Sequence, residues 1–303
     1  MIKDLSILIP TYNNVCIELV KSLYKQASEI SNNNKNSFEY EIIVGDDGST
    51  NKKTIEENED INNIPNCRYI TREHNEGRSA IRNFLARQAK YSYLLFIDSD
   101  MVVKNKSYLD NYIHAENSDV IYGGYRINGN HEILKNNLRY IYESKNKRNG
   151  NASERRKNPY SDFHTSNFIV RRALMLEYPL DERFRKYGYE DVLWGKKIRL
   201  KGIKINHVEN SLSFEKFESN ADFIAKTEEG MNTLYQFKDE LKGYSIIINY
   251  AEKLDEFHLK GIVSMLFSLI RKLLKRKLSG NKPSVFLFNI YKLGFYCSLT
   301  NNA

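Results

Sequence analysis

Cysteine is nearly absent from this sequence of 303 residues: only Cys16, Cys67 and Cys297 occur. They lie far apart in no metal-binding or disulfide spacing. Neither a zinc module nor a disulfide framework is therefore expected, and the odd, sparse count points to ordinary buried thiols in a reducing compartment. Long apolar runs are also missing. The longest stretch, residues 262–270, is broken by serines and is too short to span a bilayer as a helix. No secretory signal is visible where Met1-Ile2-Lys3-Asp4 runs straight into a short apolar segment, so a cytoplasmic location is expected. Finally, residues 258–303 lack any acidic side chain while carrying eight basic ones, Lys260, Arg271, Lys272, Lys275, Arg276, Lys277, Lys282 and Lys292.

That last absence explains the net charge. The chain holds 46 Lys plus Arg against 38 Asp plus Glu, a formal +8; without the eight basic residues of the C-terminal segment, 38 stand against 38. The body is neutral and the surplus belongs to the tail. A protein whose main surface is a nucleic-acid footprint would carry its charge on the body. No aromatic stacking motif accompanies the basic stretches either, so no nucleic-acid partner is expected. With 41% hydrophobic and 28% charged residues, the composition is that of a globular protein rather than a disordered one.

Strand-like and helical patterns alternate over the first hundred residues. Residues 5–9 form a candidate strand closed by Pro10. Residues 16–30 have helical spacing, with Leu19, Val20, Leu23 and Ala27 on one face. Residues 40–44, 66–71 and 93–97 read as further strands, and 76–90 as a helix. This order predicts an α/β fold with a mainly parallel sheet covered on both faces. Ligands of such sheets bind where the strands end.

Those ends carry distinctive residues. After the first strand comes Pro10-Thr11-Tyr12-Asn13-Asn14, with none of the glycines a dinucleotide fold needs to admit a pyrophosphate. The loop offers a hydroxyl, an aromatic ring and amides suited to a nucleoside, and is equally an ordinary turn. Gly45-Asp46-Asp47-Gly48-Ser49-Thr50 follows the second strand; it can start a helix or present a carboxylate to a base N–H. Arg78, at a strand-to-helix junction, can serve an anion or simply lie on the surface. The fourth strand delivers Asp98-Ser99-Asp100. Unpaired carboxylates at the end of a buried strand are costly, and alternation along an extended chain would let Asp98 and Asp100 converge on one hard cation. Glu190 and Asp191 start a helical pattern that Gly202 ends; acidic residues favour helix N-termini, and a carboxylate there can also take a proton from a hydroxyl.

In content, order and spacing, Ser6-Ile7-Leu8-Ile9-Pro10-Thr11-Tyr12-Asn13, Val44-Gly45-Asp46-Asp47-Gly48-Ser49, Asn75-Glu76-Gly77-Arg78, Asp98-Ser99-Asp100 and Glu190-Asp191 resemble the family 2 glycosyltransferases, which have the GT-A fold. The resemblance covers residues 4–240 and implies a metal-assisted, inverting hexosyltransferase. Such an enzyme moves a sugar from a nucleotide diphosphate, a UDP-sugar by expectation, to a glycan or lipid-linked acceptor. By the same resemblance, Thr11, Tyr12, Asp46 and Asp47 contact the nucleoside, and Arg78 the uracil or diphosphate. Asp98, Ser99 and Asp100 match the DxD motif that meets the ribose and the Mn²⁺ or Mg²⁺. Asp191 matches the catalytic base, with Glu190 its neighbour, and residues 164–168 match a segment touching donor sugar and acceptor. Many members add a histidine to the metal shell; here His207 is the available residue, while the expected position holds Phe214. A nucleotidyltransferase would want a glycine- and basic-rich first loop. A catalytically silent sugar-nucleotide-binding module is disfavoured by Asp98, Asp100 and Asp191.

The domain division expected is a catalytic domain over 1–240 and a helical, basic and apolar extension over 241–303. Within it Leu259, Ile262, Val263, Leu266, Leu269, Ile270, Leu273, Leu274 and Leu278 follow helical spacing. Such a helix either docks its apolar stripe on the protein, with lysines in water, or lies on the inner face of a membrane. Two polar stretches, residues 32–36 and 144–158, read as loops; the second, with six basic residues and one glutamate, is a solvated loop or a lid.

Overall fold

The apolar runs at 5–9, 40–44 and 93–97 become the middle of a sheet. The computed structural model describes residues 1–33, 38–145 and 150–299. Residues 34–36 and 146–149 of the two polar stretches therefore lie outside the described residues. The strands are β1 Asp4–Thr11, β2 Glu39–Asp46, β3 Cys67–Thr71, β4 Tyr93–Ile97, β5 Met101–Val102, β6 Val120–Tyr122, β7 Tyr125–Ile127, β8 Asn167–Arg171, β9 Ile205–His207 and β10 Leu212–Phe214.

Seven of them form one sheet in the order β3-β2-β1-β4-β8-β6-β9. Parallel pairs join β1 to β2 and β4, β2 to β3, and β6 to β9; β8 runs antiparallel to β4 and β6. The expected mainly parallel, mixed sheet flanked by helices is present. Its central strands read as apolar-rich runs because both faces are covered, with the buried Ser6 of β1 donating to Glu41 of β2 at 2.6 Å. On one face Leu8, Ile43, Leu94 and Phe96 pack with Ile81 and Leu85 of the helix Arg78–Gln88 and with Trp194 and Ile198. A smaller sheet has the order β5-β10-β7.

The described chain packs as two compact units. Unit 1 (Met1–Asn128, Lys147–Arg185, Trp194–Glu215) holds both sheets; unit 2 (Gly129–Asn146, Lys186–Leu193, Lys216–Ala303) is helical. The boundary expected at 240/241 falls inside unit 2. There the helix Asn220–Gln236 is capped by Ser219, whose side chain accepts from Asp222 N–H. Its buried Phe223, Ile224, Met231 and Leu234 share unit 2 with the helices Lys260–Ser279 and Val285–Ser298. Gly294, in the second of these, lets the Phe267 ring lie against its backbone, where any Cβ would collide.

Candidate active site

In unit 1, β1 to β4 end at one edge of the sheet. Thr11 is in register with Asp46, Asp46 with Thr71, and Leu8 with Phe96, so the loops after these strands start side by side. Two asparagines tie them together. Asn14 Nδ2 donates to the Ser99 carbonyl at 2.8 Å and to Ser99 Oγ at 3.1 Å, pinning the first loop to the Asp98–Asp100 segment. Asn13, held at φ 50 in the left-handed region asparagine tolerates, accepts from Thr50 and Asn51 N–H at 2.9 Å each. Its own N–H donates to Ser49 Oγ at 2.7 Å. Thr11 is buried and donates to the Asn14 carbonyl, whereas Tyr12 is 46% exposed.

Asp46 and Asp47 are both buried. Asp46 accepts from Ser49 N–H at 2.7 Å and from the Tyr69 hydroxyl. Asp47 accepts from Arg72 Nη1 at 3.1 Å, Glu76 N–H at 3.3 Å and Gly77 N–H at 2.8 Å. Burial pushes the Asp47 carboxyl up, and the two backbone N–H bonds pull against that. Each carboxylate thus already braces its own loop, and a nucleoside would use a remaining lone pair. The helix that follows is capped by Asn51, whose side chain accepts from Thr54 N–H, and not by Ser49 or Thr50.

Gly77 sits at φ 98, and a Cβ there would meet the Arg185 backbone at 2.9 Å. Glycine therefore permits the close approach that starts the helix Arg78–Gln88. Arg78 heads it and is exposed. One turn later Arg82 is buried; its Nη1 donates to the Arg78 carbonyl at 3.1 Å and its Nη2 pairs with Asp98 Oδ1. Arg82 was legible only as the residue four positions after Arg78 on the same helix face.

Asp98, Ser99 and Asp100 lie in a turn closed by Met101 N–H on the Asp98 carbonyl at 3.1 Å, not on an extended chain. Strand pairing stops at Ile97 opposite Asn167, after which Asp98 N–H donates to the Ser166 carbonyl at 3.1 Å. The turn, rather than strand alternation, therefore places the two carboxylates. Beside it, Arg82 Nε and Ser166 Oγ are buried without a hydrogen-bond partner among the described residues. Buried polar atoms are normally paired, so this cluster beside two carboxylates suits a polar ligand. Asn167, in the segment expected to touch sugar, is instead consumed structurally. Its Oδ1 accepts from the Tyr108 and Tyr112 hydroxyls, and its Nδ2 donates to the Gly124 and Asn210 carbonyls.

His207 does not fit the role of metal ligand. Its ring is fully buried; Nδ1 accepts from Arg155 Nε at 3.2 Å and Nε2–H donates to the Pro159 carbonyl at 2.9 Å. It also sits on β9, three strands from β4, which is about 14 Å at ordinary strand spacing. The position beside the Asp98–Met101 turn is that of Phe214, opposite Met101 and buried. Among the described residues no group of three or more His, Cys, Asp and Glu is arranged to hold a metal. Burial pushes the His207 imidazole down to about 4 from 6.5. Its folded value lies below its unfolded one, so stability from this group is present above pH 6.5 and is lost as pH falls towards 4. The melting temperature should fall across that window, and His207→Gln, which keeps an acceptor and a donor, should flatten the fall.

In unit 2, Gly188 at φ 96 and Tyr189 at φ 72 turn the chain into the helix Glu190–Leu200, which carries Glu190 and Asp191 in its first turn. A tyrosine in the left-handed region is strained; Tyr189 is half-buried, and desolvation of its hydroxyl raises its pKa. Glu190 is buried, while Asp191 is half-buried and accepts from Val192 N–H at 2.8 Å. The helix N-terminus favours the ionised carboxylate, the form able to accept a proton.

Comparison with known proteins places this arrangement. The chain is 30% identical over 134 residues to the poly(ribitol-phosphate) beta-N-acetylglucosaminyltransferase TarP of Staphylococcus aureus (strain N315), covering 42% of this chain and 38% of that protein. It is 26% identical over 295 residues to the chondroitin synthase of Escherichia coli, covering 86% and 41%. The chain thus spans about two fifths of the length of these curated relatives. A crystal structure of S. aureus TarS residues 1–349 in complex with UDP-GlcNAc superposes with a TM-score of 0.51 at 19% identity, covering 99% of this chain and 91% of that one. The model of the family described as Glycosyl transferase family 2 matches residues 6–178, more than half of the chain and all of the loops that follow β1 to β4; the chain belongs to that family.

Proposed function

We propose that the chain is an inverting glycosyltransferase that moves a sugar from a nucleotide diphosphate, a UDP-sugar in the first instance, to a hydroxyl of a glycan or lipid-linked acceptor. The observation that carries this reading is the Asp98–Asp100 turn. Asn14 couples it to the first loop, Arg82 braces it, and the unpartnered buried Arg82 Nε and Ser166 Oγ lie beside it. The activities for which TarP and the chondroitin synthase are named, and the UDP-GlcNAc in the TarS complex, support the donor class.

In this reading Thr11, Tyr12, Asp46 and Asp47 hold the nucleoside. Arg78, at the head of its helix, faces the diphosphate, where the guanidinium fork and the helix N-terminus both favour negative charge. Asp98 and Asp100 would hold Mn²⁺ or Mg²⁺. They are hard oxygen donors, and the remaining coordination positions suit diphosphate oxygens and water. When bound, the ion neutralises charge developing on the leaving diphosphate. Asp191 takes the proton of the acceptor hydroxyl as its oxygen bonds to the anomeric carbon. The bond from that carbon to the phosphate oxygen breaks on the opposite face, its electron pair leaving with the nucleoside diphosphate. Glu190, next to Asp191 in the first turn, supports that base. The test is release of nucleoside diphosphate from a panel of UDP- and GDP-sugars in the presence of Mn²⁺; silence across the panel would remove the proposal.

A further inference from the structure

The helix Lys260–Ser279 in unit 2 faces the opposite way from a helix docked by its main apolar stripe. Its buried side carries Ser264, Phe267, Leu274 and Leu278. On the same side two partly exposed basic residues reach a neighbouring helix: Arg271 Nη2 and Lys275 Nζ donate to Glu228 at 3.1 and 2.8 Å, and the Tyr291 hydroxyl donates to the same carboxylate at 2.5 Å. Phe267 lies edge-on to Tyr291 at 5.3 Å. At 100° per residue, Ile262, Met265, Leu266, Leu269, Ile270 and Leu273 fall on the other side, and all six are exposed, Leu269 by 75% and Leu273 by 70%. The expectation that docking would leave lysines in water and leucines inside is thus reversed for most of the stripe. From Ile262 to Leu273 the strip spans twelve residues and is about 17 Å long, and a solvent-facing apolar strip of this kind marks an interaction surface.

We infer that this face lies on an anionic lipid bilayer. Charge chooses the occupant. Lys272, Arg276 and Lys277 border the strip, and no acidic residue occurs from 258 onward. A second copy docked symmetrically would set these cations against their own equivalents with nothing on the segment to neutralise them. Anionic headgroups supply the missing negative charge, and the acyl boundary beneath accepts leucine and isoleucine while long basic side chains reach up to the headgroups. Attachment is in the plane of the surface, since no helix among the described residues is long and apolar enough to cross a membrane. Because the surface is argued from unit 2 alone, it stands or falls independently of the proposed transferase activity.

The experiment is sedimentation of the full chain with vesicles of equimolar phosphatidylglycerol and phosphatidylcholine, beside vesicles of phosphatidylcholine alone. Sedimentation with the anionic vesicles only is expected. Leu269→Glu with Leu273→Glu should lower the vesicle affinity by about tenfold or more, since removing even one buried leucine from an apolar phase is worth that much. Both positions are solvent-facing, so the melting temperature should not move. The triple change Lys272→Glu, Arg276→Glu and Lys277→Glu should abolish the preference for anionic lipid while leaving the apolar strip intact. Failure of the wild type to sediment with anionic vesicles would overturn the inference, as would full binding by the double leucine variant. Light scattering that shows a wild-type oligomer broken by the leucine changes, with no vesicle binding, would give the face to a second copy instead.

Discussion

Asp191→Asn should lower sugar transfer by about 10²- to 10⁴-fold, the usual contribution of a positioned general base, with nucleotide-sugar binding expected to stay at the wild-type level. The substitution preserves shape and the capacity to accept from Val192 N–H, the bond Asp191 makes in the first turn of its helix. It removes the one property the mechanism needs, a carboxylate able to take the acceptor proton. An effect confined to kcat is therefore expected, because the lost interaction exists only in the transition state. Calorimetric donor binding alongside steady-state transfer separates the two quantities. Wild-type turnover in the variant would withdraw the base assignment; equal loss of binding and turnover would give Asp191 a binding role.

Arg155→Ala should destabilise the fold by about 3–5 kcal/mol, since three buried acceptors lose their donor at roughly 1–3 kcal/mol each, and lower the melting temperature by roughly 10 °C. Arg155 is fully buried. Nε donates to His207 Nδ1, Nη2 donates to the Gly123 and Val208 carbonyls at 3.1 and 2.8 Å, and the guanidinium lies 5.2 Å from the Tyr122 ring. Burial lowers its pKa, which records how costly the site is for a charge that is not held. Truncation strands three acceptors, each expensive to leave unpaired. Arg155→Lys keeps the charge but not the planar fork and should recover only part of the loss. Thermal and urea unfolding measure both, and a shift of less than about 2 °C for Arg155→Ala would contradict this account of the cluster.

Arg155 also shows where local pattern stops being informative. In sequence it is one of six basic residues in a polar stretch. In the structure it belongs to the short helix Ala152–Arg155, started by Asn151 accepting from Ser153 and Glu154 N–H, which carries it into the interior. Its partners are 32 to 53 positions away, beyond any spacing rule. The same distance hid Asn14 and Arg82. Asn14 reaches Ser99 across 85 positions and Arg82 reaches Asp98 across 16, so their roles depend on the sheet order β2-β1-β4. What local chemistry does decide was legible. Apolar-rich runs, broken only by Ser6 in β1 and Glu41 in β2, gave β1, β2 and β4, and acidic residues fell where these strands end. A histidine's surroundings, not its presence, determine whether a lone pair is free, so the structural role of His207 could be read only from its contacts with Arg155 and Pro159. The C-terminal helix was legible as amphipathic, but only Glu228, contributed by another helix, decided that Arg271 and Lys275 reach towards that helix and the leucines face out.

The most direct measurement of the central claim is nucleoside diphosphate release from the donor panel, with Mn²⁺ and with a chelator, in the wild type and in Asp100→Ala. At least one UDP- or GDP-sugar should be turned over by the wild type with Mn²⁺, the chelator should abolish that turnover, and Asp100→Ala should lose both turnover and metal-dependent donor binding. Turnover by Asp100→Ala at the wild-type rate, or no metal-dependent binding of any donor by the wild type, would contradict the assignment of the Asp98–Asp100 turn as the donor diphosphate site.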